Sequence, residues 1–498
     1  MINLTDKRFE KLAKGSYYLI LSNVANLTIG AIFWIILAKM VDPSTLGQVM
    51  VVIALATSVI GFAGYGVQVT ISKYMSEYNA RNMPNTARRV LSLGLKMALI
   101  VSGVAALSLA LLSGHIASIA YQNPSLSTLI TLAAITYVPS QTVVAALIGA
   151  FQGSHRMEYT FVTYLIYELA RLAIAVILVL HGLNSFGIII GLSTASLIVS
   201  LLGYTYFIPK VVPKFKSNGE EELKEGLRHI IKFSGLNYFA VGIRTLSAQI
   251  GVIILGTQNF EWAAFYGLSL LIANVVGGIS SAISRALLPT ASEEWAKGNG
   301  PEFRDVFNTA IRISLLLSGF GFTIFMIAPS YVLGLLSDSY IEASSALRIL
   351  VVSSIINAMG AIIISMLNAA NRADVVAKIG LISSVSTIAL TFPLALVIGM
   401  EGAAVAILIG SLSSLILSVI MLKRKERLTI SVRSVSKPSI SILVGLLVGY
   451  SLYSLFENVV ITLALAVLSY AGFSMIYRVM TRTELRALFN ILLRTKRS

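Results

Sequence analysis

The chain alternates between long apolar runs and short polar, charged segments. The apolar runs fall at 17–40, 47–71, 90–112, 126–151, 159–180, 186–208, 233–255, 264–288, 310–333, 346–367, 375–397, 403–422, 440–455 and 459–479. A hydrocarbon core about 30 Å thick is crossed by a helix of roughly 20 apolar residues. Each run except the thirteenth, which is short, meets that length. The pattern predicts an all-α integral membrane protein with about 14 transmembrane helices.

The polar segments test the count. If the N-terminus, with Lys7, Arg8, Lys11 and Lys14, lies in the cytoplasm, every second connection should be basic. The segments on that side hold Lys73, Arg81, Arg88 and Arg89, then Arg156, then Lys210 to Lys232, Lys297 and Arg304, Arg372 and Lys378, and Lys423 to Lys437. The tail adds Arg482, Arg486, Arg494, Lys496 and Arg497. The opposite side carries Asp42, Glu261, Asp338, Glu342, Glu401 and Glu457, with Lys39 the one base near them. One helix missed or invented would invert the alternation. The expectation is a multi-pass protein of the plasma membrane with both termini cytoplasmic. Its outer connections are short, the longest near 115–125, which leaves no room for an outer catalytic domain.

Composition agrees and narrows the chemistry. Of 498 residues, 56% are hydrophobic and 12% charged, against about 25% charged in soluble domains; mean hydropathy is +0.84. The net charge of +16 is accounted for by membrane orientation and needs no nucleic acid. The absence of cysteine removes disulfides, thiolate metal sites and cysteine nucleophiles. The four histidines have no ligand spacing. No cofactor, metal or catalytic residue is expected.

The first twelve runs divide into two similar sets of six. Gly61 matches Gly278, Ser76-Glu77 matches Ser292-Glu293, Arg156 matches Arg372 and Gly182 matches Gly399, at offsets between 216 and 217 residues. Six is even, so the copies enter the membrane from the same side as parallel repeats. Such transporters bind substrate between the halves near the midplane. The implied organisation is an N-lobe over 1–208, a cytoplasmic connector over 209–232, a C-lobe over 233–422, and helices 13 and 14 with a basic tail over 423–498.

Polar residues at membrane depth carry the remaining information. An arginine at a helix centre costs about 2.5–3.5 kcal/mol on insertion scales, so it faces a cavity or a partner. Arg171 lies near the middle of the fifth run and Arg244 about ten residues into the seventh. Tyr164, Glu168 and Arg171 share one helical face, as do Asn237, Arg244 and Ser247, then Asn274, Ser281 and Arg285, and, in the first run, Asn23, Asn26 and Gly30. Two readings stay open for Glu168 and Arg171: an intrahelical ion pair serving stability, or a ligand site. Lys96, Arg285, Arg312 and Lys378 lie close enough to the cytoplasmic surface to snorkel, and Arg348 to the outer one. Arg171, Arg244, Arg285 and Arg348 face a single intramembrane acid, Glu168. A basic cavity suits an anionic ligand, and a guanidinium fork suits phosphate oxygens. The candidate substrate-binding set is Arg244, Arg171, Arg285, Arg348, Asn23, Asn26 and Asn274, with Glu168 the candidate for coupling to H+ or Na+.

Two segments resemble a known family. Leu46-Gly47-Gln48 through Gly64-Tyr65-Gly66 to Ser72-Lys73-Tyr74-Met75-Ser76-Glu77 resembles the first signature of polysaccharide flippases. Phe265-Tyr266-Gly267 through Ala286-Leu287-Leu288-Pro289 to Ser292-Glu293 is similar to its counterpart. The six-plus-six-plus-two plan agrees with the Wzx-type lipid-linked oligosaccharide flippases of the multidrug/oligosaccharidyl-lipid/polysaccharide (MOP) superfamily. The resemblance implies a V-shaped two-lobed fold and a cationic central cavity. It also implies translocation, by alternating access, of an isoprenoid-(pyro)phosphate-linked oligosaccharide from the cytoplasmic to the outer leaflet for surface glycan synthesis. Helices 13 and 14 would then help hold the lipid tail. Related lipid II flippases carry charged residues on helix 1, where this chain has Asn23 and Asn26. The competing readings are an ion-coupled multidrug exporter of the same superfamily, a major facilitator transporter, and a membrane-embedded glycan ligase or polymerase. The multidrug exporters typically have twelve helices and an acid in helix 1, and the facilitators a Gly- and Arg-rich loop after helix 2. The enzymes usually need a sizeable outer loop.

Overall fold

The computed structural model describes residues 4–81, 83–211, 221–296, 300–426, 428–455, 458–477 and 479. Every regular element among them is helical. The chain begins with α1 (Leu4–Met40), α2 (Pro43–Ala63), α3 (Tyr65–Ala80), α4 (Pro84–His115), α5 (Leu126–Leu132), α6 (Val138–Gly153), α7 (Met157–Leu180), α8 (Asn184–Leu202) and α9 (Ile208–Val211). It continues with α10 (Glu221–Gln258), α11 (Phe260–Ala296), α12 (Pro301–Ile327), α13 (Pro329–Gly334), α14 (Ser344–Ala369), α15 (Ala373–Ile398), α16 (Met400–Glu426), α17 (Val432–Tyr453) and α18 (Val459–Ile476). Single π-helical turns at Ala133–Tyr137 and Gly203–Phe207 carry the chain from one helix to the next without a break, and a third, Ile116–Ala120, extends α4 before the turn at 121–125.

Among the described residues, 14 helices are long and apolar enough to cross a membrane. Several exceed the bilayer. At 1.5 Å per residue the 38 residues of α10 reach about 57 Å, and its Phe239–Gln258 segment is long and apolar enough to span. The expected connector 209–232 is therefore helical at both described ends, in α9 and from Glu221 onward, and 212–220 lies outside the described residues. So does 480–498, which holds most of the basic tail. The thirteenth span is a full helix because α17 begins at Val432 and takes in Arg433 and Lys437 as well as Pro438. The connection from α12 to α14 is longer than the 115–125 loop expected to be the longest. It is folded into α13 and a 3-10 turn over Asp338–Ala343.

Local signals place the ends. Asp42 caps α2 by accepting from the Thr45 backbone N–H at 2.8 Å and its hydroxyl at 2.7 Å, and Pro43 follows at the first helical position, where no N–H is needed. The second span breaks at Gly64, whose N–H still reaches Ile60 O at 2.7 Å. A Cβ there would lie 2.9 Å from Thr142 Oγ1, so only glycine allows α6 so close.

The chain forms two compact units, Met1–Leu268 with Gly380–Ala406, and Ser269–Ile379 with Ile407–Ser498. In the first, α7 packs on α1 and α8, α3 on α6, and α10 on α2, α3 and α4. Gly47 lets the backbone of α2 meet the Phe260 carbonyl, where a Cβ would come within 1.8 Å. In the second, α12 packs on α14, α17 and α18. There Phe303, Phe307, Ile362, Ile363 and Met366 form a buried core. Ser280, Ser314 and Ser318 form a buried chain of hydroxyls with links of 2.6 and 2.8 Å, ending on Val276 O at 2.9 Å.

The internal repeat has a structural counterpart. At the end of α6, Ser154, His155 and Arg156 donate to Ala150, Gln152 and Phe151 carbonyls; at the end of α14, Ala370, Asn371 and Arg372 donate to Met366, Asn368 and Leu367. Each pair is 216 residues apart, and His155 and Asn371 are both left-handed, with φ of 55° and 58°. The turns after α7 and α15 use Gly182 and Gly399, again left-handed at φ of 83° and 68°. Both turns close helices in the Schellman or left-handed-cap manner.

Candidate functional site

The first unit holds an ion pair at membrane depth. Glu168 and Arg171 lie one turn apart on α7, and their side chains pair directly. The Glu168 side chain is 1% exposed and that of Arg171 11%. Asn26 of α1 donates from Nδ2 to Glu168 Oε1 at 3.2 Å. The Arg171 guanidinium lies 4.5 Å from the centre of the Phe33 ring and 5.3 Å from that of Tyr167. Gly30 makes room for it, since a Cβ there would lie 3.0 Å from Arg171 Nη2. Three groups thus offset the desolvation of one cation, a carboxylate and two ring faces, and the glycine gap gives it room.

That arrangement resolves the spacing of Glu168 and Arg171 into a formed ion pair. It also joins a member of the helix-1 stripe, Asn26, to the helix-5 stripe. Asn23 sits half-buried on α1.

Arg244 is differently placed. On α10, Gly242 packs against Phe62 and Thr245 against Gly61 of α2, while Arg244 between them is exposed. Its own carbonyl accepts from Ser247 Oγ at 2.8 Å, and its guanidinium has no ion pair among the described residues. Arg244 and Arg171 share no hydrogen bond or ion pair there. They belong to separate helix pairs of the same unit.

In the second unit Asn274 is exposed on α11. Arg348 is half-buried on α14, with Nε buried and lacking a hydrogen-bond partner among the described residues. The side chains of Arg285 and Asn237 lie outside the described residues. No group of three or more acids or histidines able to hold a metal ion occurs among the described residues.

Sequence reading missed Glu426. Its carboxylate, 1% exposed, accepts from Arg372 Nε at 2.7 Å across 54 residues. This hydrogen bond raises the Arg372 pKa. The available signal was one acid inside the basic run from Lys423 to Arg427. In the first repeat the equivalent Arg156 pairs locally, with Glu158 at 2.5 Å.

Comparison with known proteins bears on this architecture. The family model described as a polysaccharide biosynthesis protein matches residues 12–295. The model of the lipid II flippase MurJ matches residues 172–437. An uncharacterized membrane protein of Methanocaldococcus jannaschii is 24% identical over 427 residues, covering 84% of this chain and 99% of its own length. The lipid II flippase MurJ of Bacillus subtilis is 22% identical over 453 residues, covering 83% of each chain. Among solved structures, a lipid II flippase in an inward closed conformation superposes with a TM-score of 0.74 at 15% identity, over 94% of this chain and 99% of that one. An inward-facing multidrug resistance transporter of the MOP superfamily gives 0.63 at 13% identity, over 81% and 94%.

Proposed function

From the premise that the chain belongs to the polysaccharide biosynthesis protein family, within the MOP superfamily, we propose that it flips an isoprenoid-(pyro)phosphate-linked oligosaccharide across the plasma membrane. The direction is from the cytoplasmic to the outer leaflet, by alternating access of the lobes 1–208 and 233–422, with both termini cytoplasmic. The observation that carries this reading is the pair of overlapping family matches over 12–437 on a chain with 14 spanning helices. The lipid II flippases among its relatives support a lipid-linked cargo.

Within that reading Arg244 is the foremost head-group contact. Its exposed guanidinium, with no carboxylate partner among the described residues, offers a bidentate site to a phosphate. Arg285, Arg348, Asn23 and Asn274 are further candidates. Arg171 already spends its charge on Glu168, so it contributes a fixed dipole more than a free cation. Glu168, held by Asn26 and Arg171, is the candidate for H+ or Na+ coupling.

Proteoliposomes loaded with a fluorescent polyprenyl-diphosphate sugar and tested for accessibility in each leaflet check both levels. The parent protein should equilibrate the probe, and Arg244→Ala should slow it at least tenfold. A parent that leaves the probe in one leaflet overturns the cargo class. An Arg244→Ala variant as fast as the parent overturns the role of Arg244 alone.

A further inference from the structure

A second basic feature lies away from these residues, in the first unit. A groove of about 710 Å³ runs between α4 and α8, continuing along the π-turn Gly203–Phe207, with Val143 of α6 at its floor. On α4 its lining falls at 88, 91, 92, 95, 96 and 99; on the facing helix it falls at 197, 200, 201, 204, 205 and 208. Both sets follow i, i+3, i+4, i+7, i+8, i+11, so each is a single helical face.

The two faces run in opposite directions, so Arg88 and Ser92 share an end with Tyr204 and Thr205, together with Leu91 and Ile208, and Lys96 lies further in. The other end is aliphatic, with Leu95, Leu99, Leu197 and Leu201. Leu99, Leu197 and Leu201 are 50%, 45% and 63% exposed. Among the described residues the lining has two bases and no acid. Lys96 is exposed and Arg88 half-buried. Tyr204 and Thr205, at the polar end, belong to the π-turn Gly203–Phe207. Such turns recur at functional sites.

We propose that this groove holds an anionic glycerophospholipid of the surrounding bilayer, in the leaflet on the side of the basic connections. Its phosphate would lie between Arg88 and Lys96 and its acyl chains along Leu95, Leu99, Leu197 and Leu201. The charge complementarity and the open aliphatic end select a two-chain anionic lipid over a soluble phosphate, which has nothing to place on the leucines. A zwitterionic lipid offers a phosphate too, but brings a quaternary ammonium beside it that neither Arg88 nor Lys96 can pair, so the two bases favour a lipid of net negative charge. The occupant is a structural lipid, so this proposal stands apart from the cargo proposed above.

Native mass spectrometry of the full chain, equilibrated with phosphatidylglycerol or phosphatidylcholine, tests it. Phosphatidylglycerol should be retained, and phosphatidylcholine at least fivefold less. Arg88→Gln with Lys96→Gln should lower phosphatidylglycerol retention at least fivefold. Arg88→Lys with Lys96→Arg should keep it, which separates loss of charge from misfolding. Equal retention of the two lipids overturns the proposal, as does a charge-neutral variant that binds like the parent. Displacement by soluble glycerol phosphate would reassign the groove to a free anion. Displacement by a polyprenyl phosphate at a tenfold lower concentration would reassign it to the carrier lipid. Either outcome also overturns the proposal.

Discussion

Asn26 donates a hydrogen bond to Glu168 at 3.2 Å, and so ties α1 to α7 across 142 residues of sequence at the depth where the bilayer offers no water. Interhelical hydrogen bonds in membranes are worth only about 0.6 kcal/mol on average. The bond's main effect is therefore orientation. It gives one carboxylate oxygen a partner on α1 while Arg171 engages the carboxylate from α7 itself.

This arrangement makes the cost of mutation asymmetric. Arg171→Met leaves the Glu168 carboxylate buried without its cation and should destabilise the protein by about 3–5 kcal/mol. Glu168→Leu combined with Arg171→Met removes both charges and should cost far less. Thermal unfolding of the two variants in detergent checks the difference. Equal unfolding temperatures would mean that Glu168 draws its compensation from elsewhere.

The left-handed turns supply a backbone prediction. Alanine at Gly182 meets no atom within 4 Å, so its cost is conformational strain alone, ~1–2 kcal/mol. At Gly399 the same strain is joined by the Trp262 ring, 3.3 Å from the new Cβ. Gly399→Ala should therefore lower the unfolding temperature at least as much as Gly182→Ala. Gly360→Ala, in open space within α14, is the control expected to hold or gain stability.

Asp42 gives a pH dependence outside the spans. Partial burial pushes its carboxyl up, but hydrogen bonds from the Thr45 backbone and hydroxyl outweigh this and hold it below the usual carboxylate value. A carboxyl lowered on folding stabilises above its unfolded pKa, near 3.9, and that contribution is lost as pH falls through the folded value. Asp42→Ala should cost about 1 kcal/mol at neutral pH. The gap between parent and variant should close below pH 4 in unfolding curves. A gap that persists unchanged to pH 3 would show that the charge plays no part in the cap.

The spans were legible because hydropathy over 20 residues is a strong, local signal. The ends of the helices were not. Residues 221–232 are charged and read as a connector, yet Lys and Glu are good helix formers and outside the bilayer their charge carries no insertion cost, so α10 simply continues. The same holds for Arg433 and Lys437 at the start of α17. The repeat was legible at Gly182 and Gly399 because glycine is the residue that enters a left-handed turn without strain. The Glu168–Arg171 spacing showed in the sequence, but Asn26 as its third member did not, since partner choice between helices depends on packing. Glu426 was hidden for the same reason, and the groove between α4 and α8 because each of its walls reads as an ordinary lipid-facing stripe.

The two turns at His155 and Asn371 share three hydrogen bonds and a left-handed residue at one constant offset. Neither residue is glycine, the usual occupant of that position, so their agreement is hard to attribute to chance convergence on the cheapest solution. The backbone exit from the preceding helix is thus the same in both repeats, while the side chain at its left-handed position is free to differ, His155 in one and Asn371 in the other.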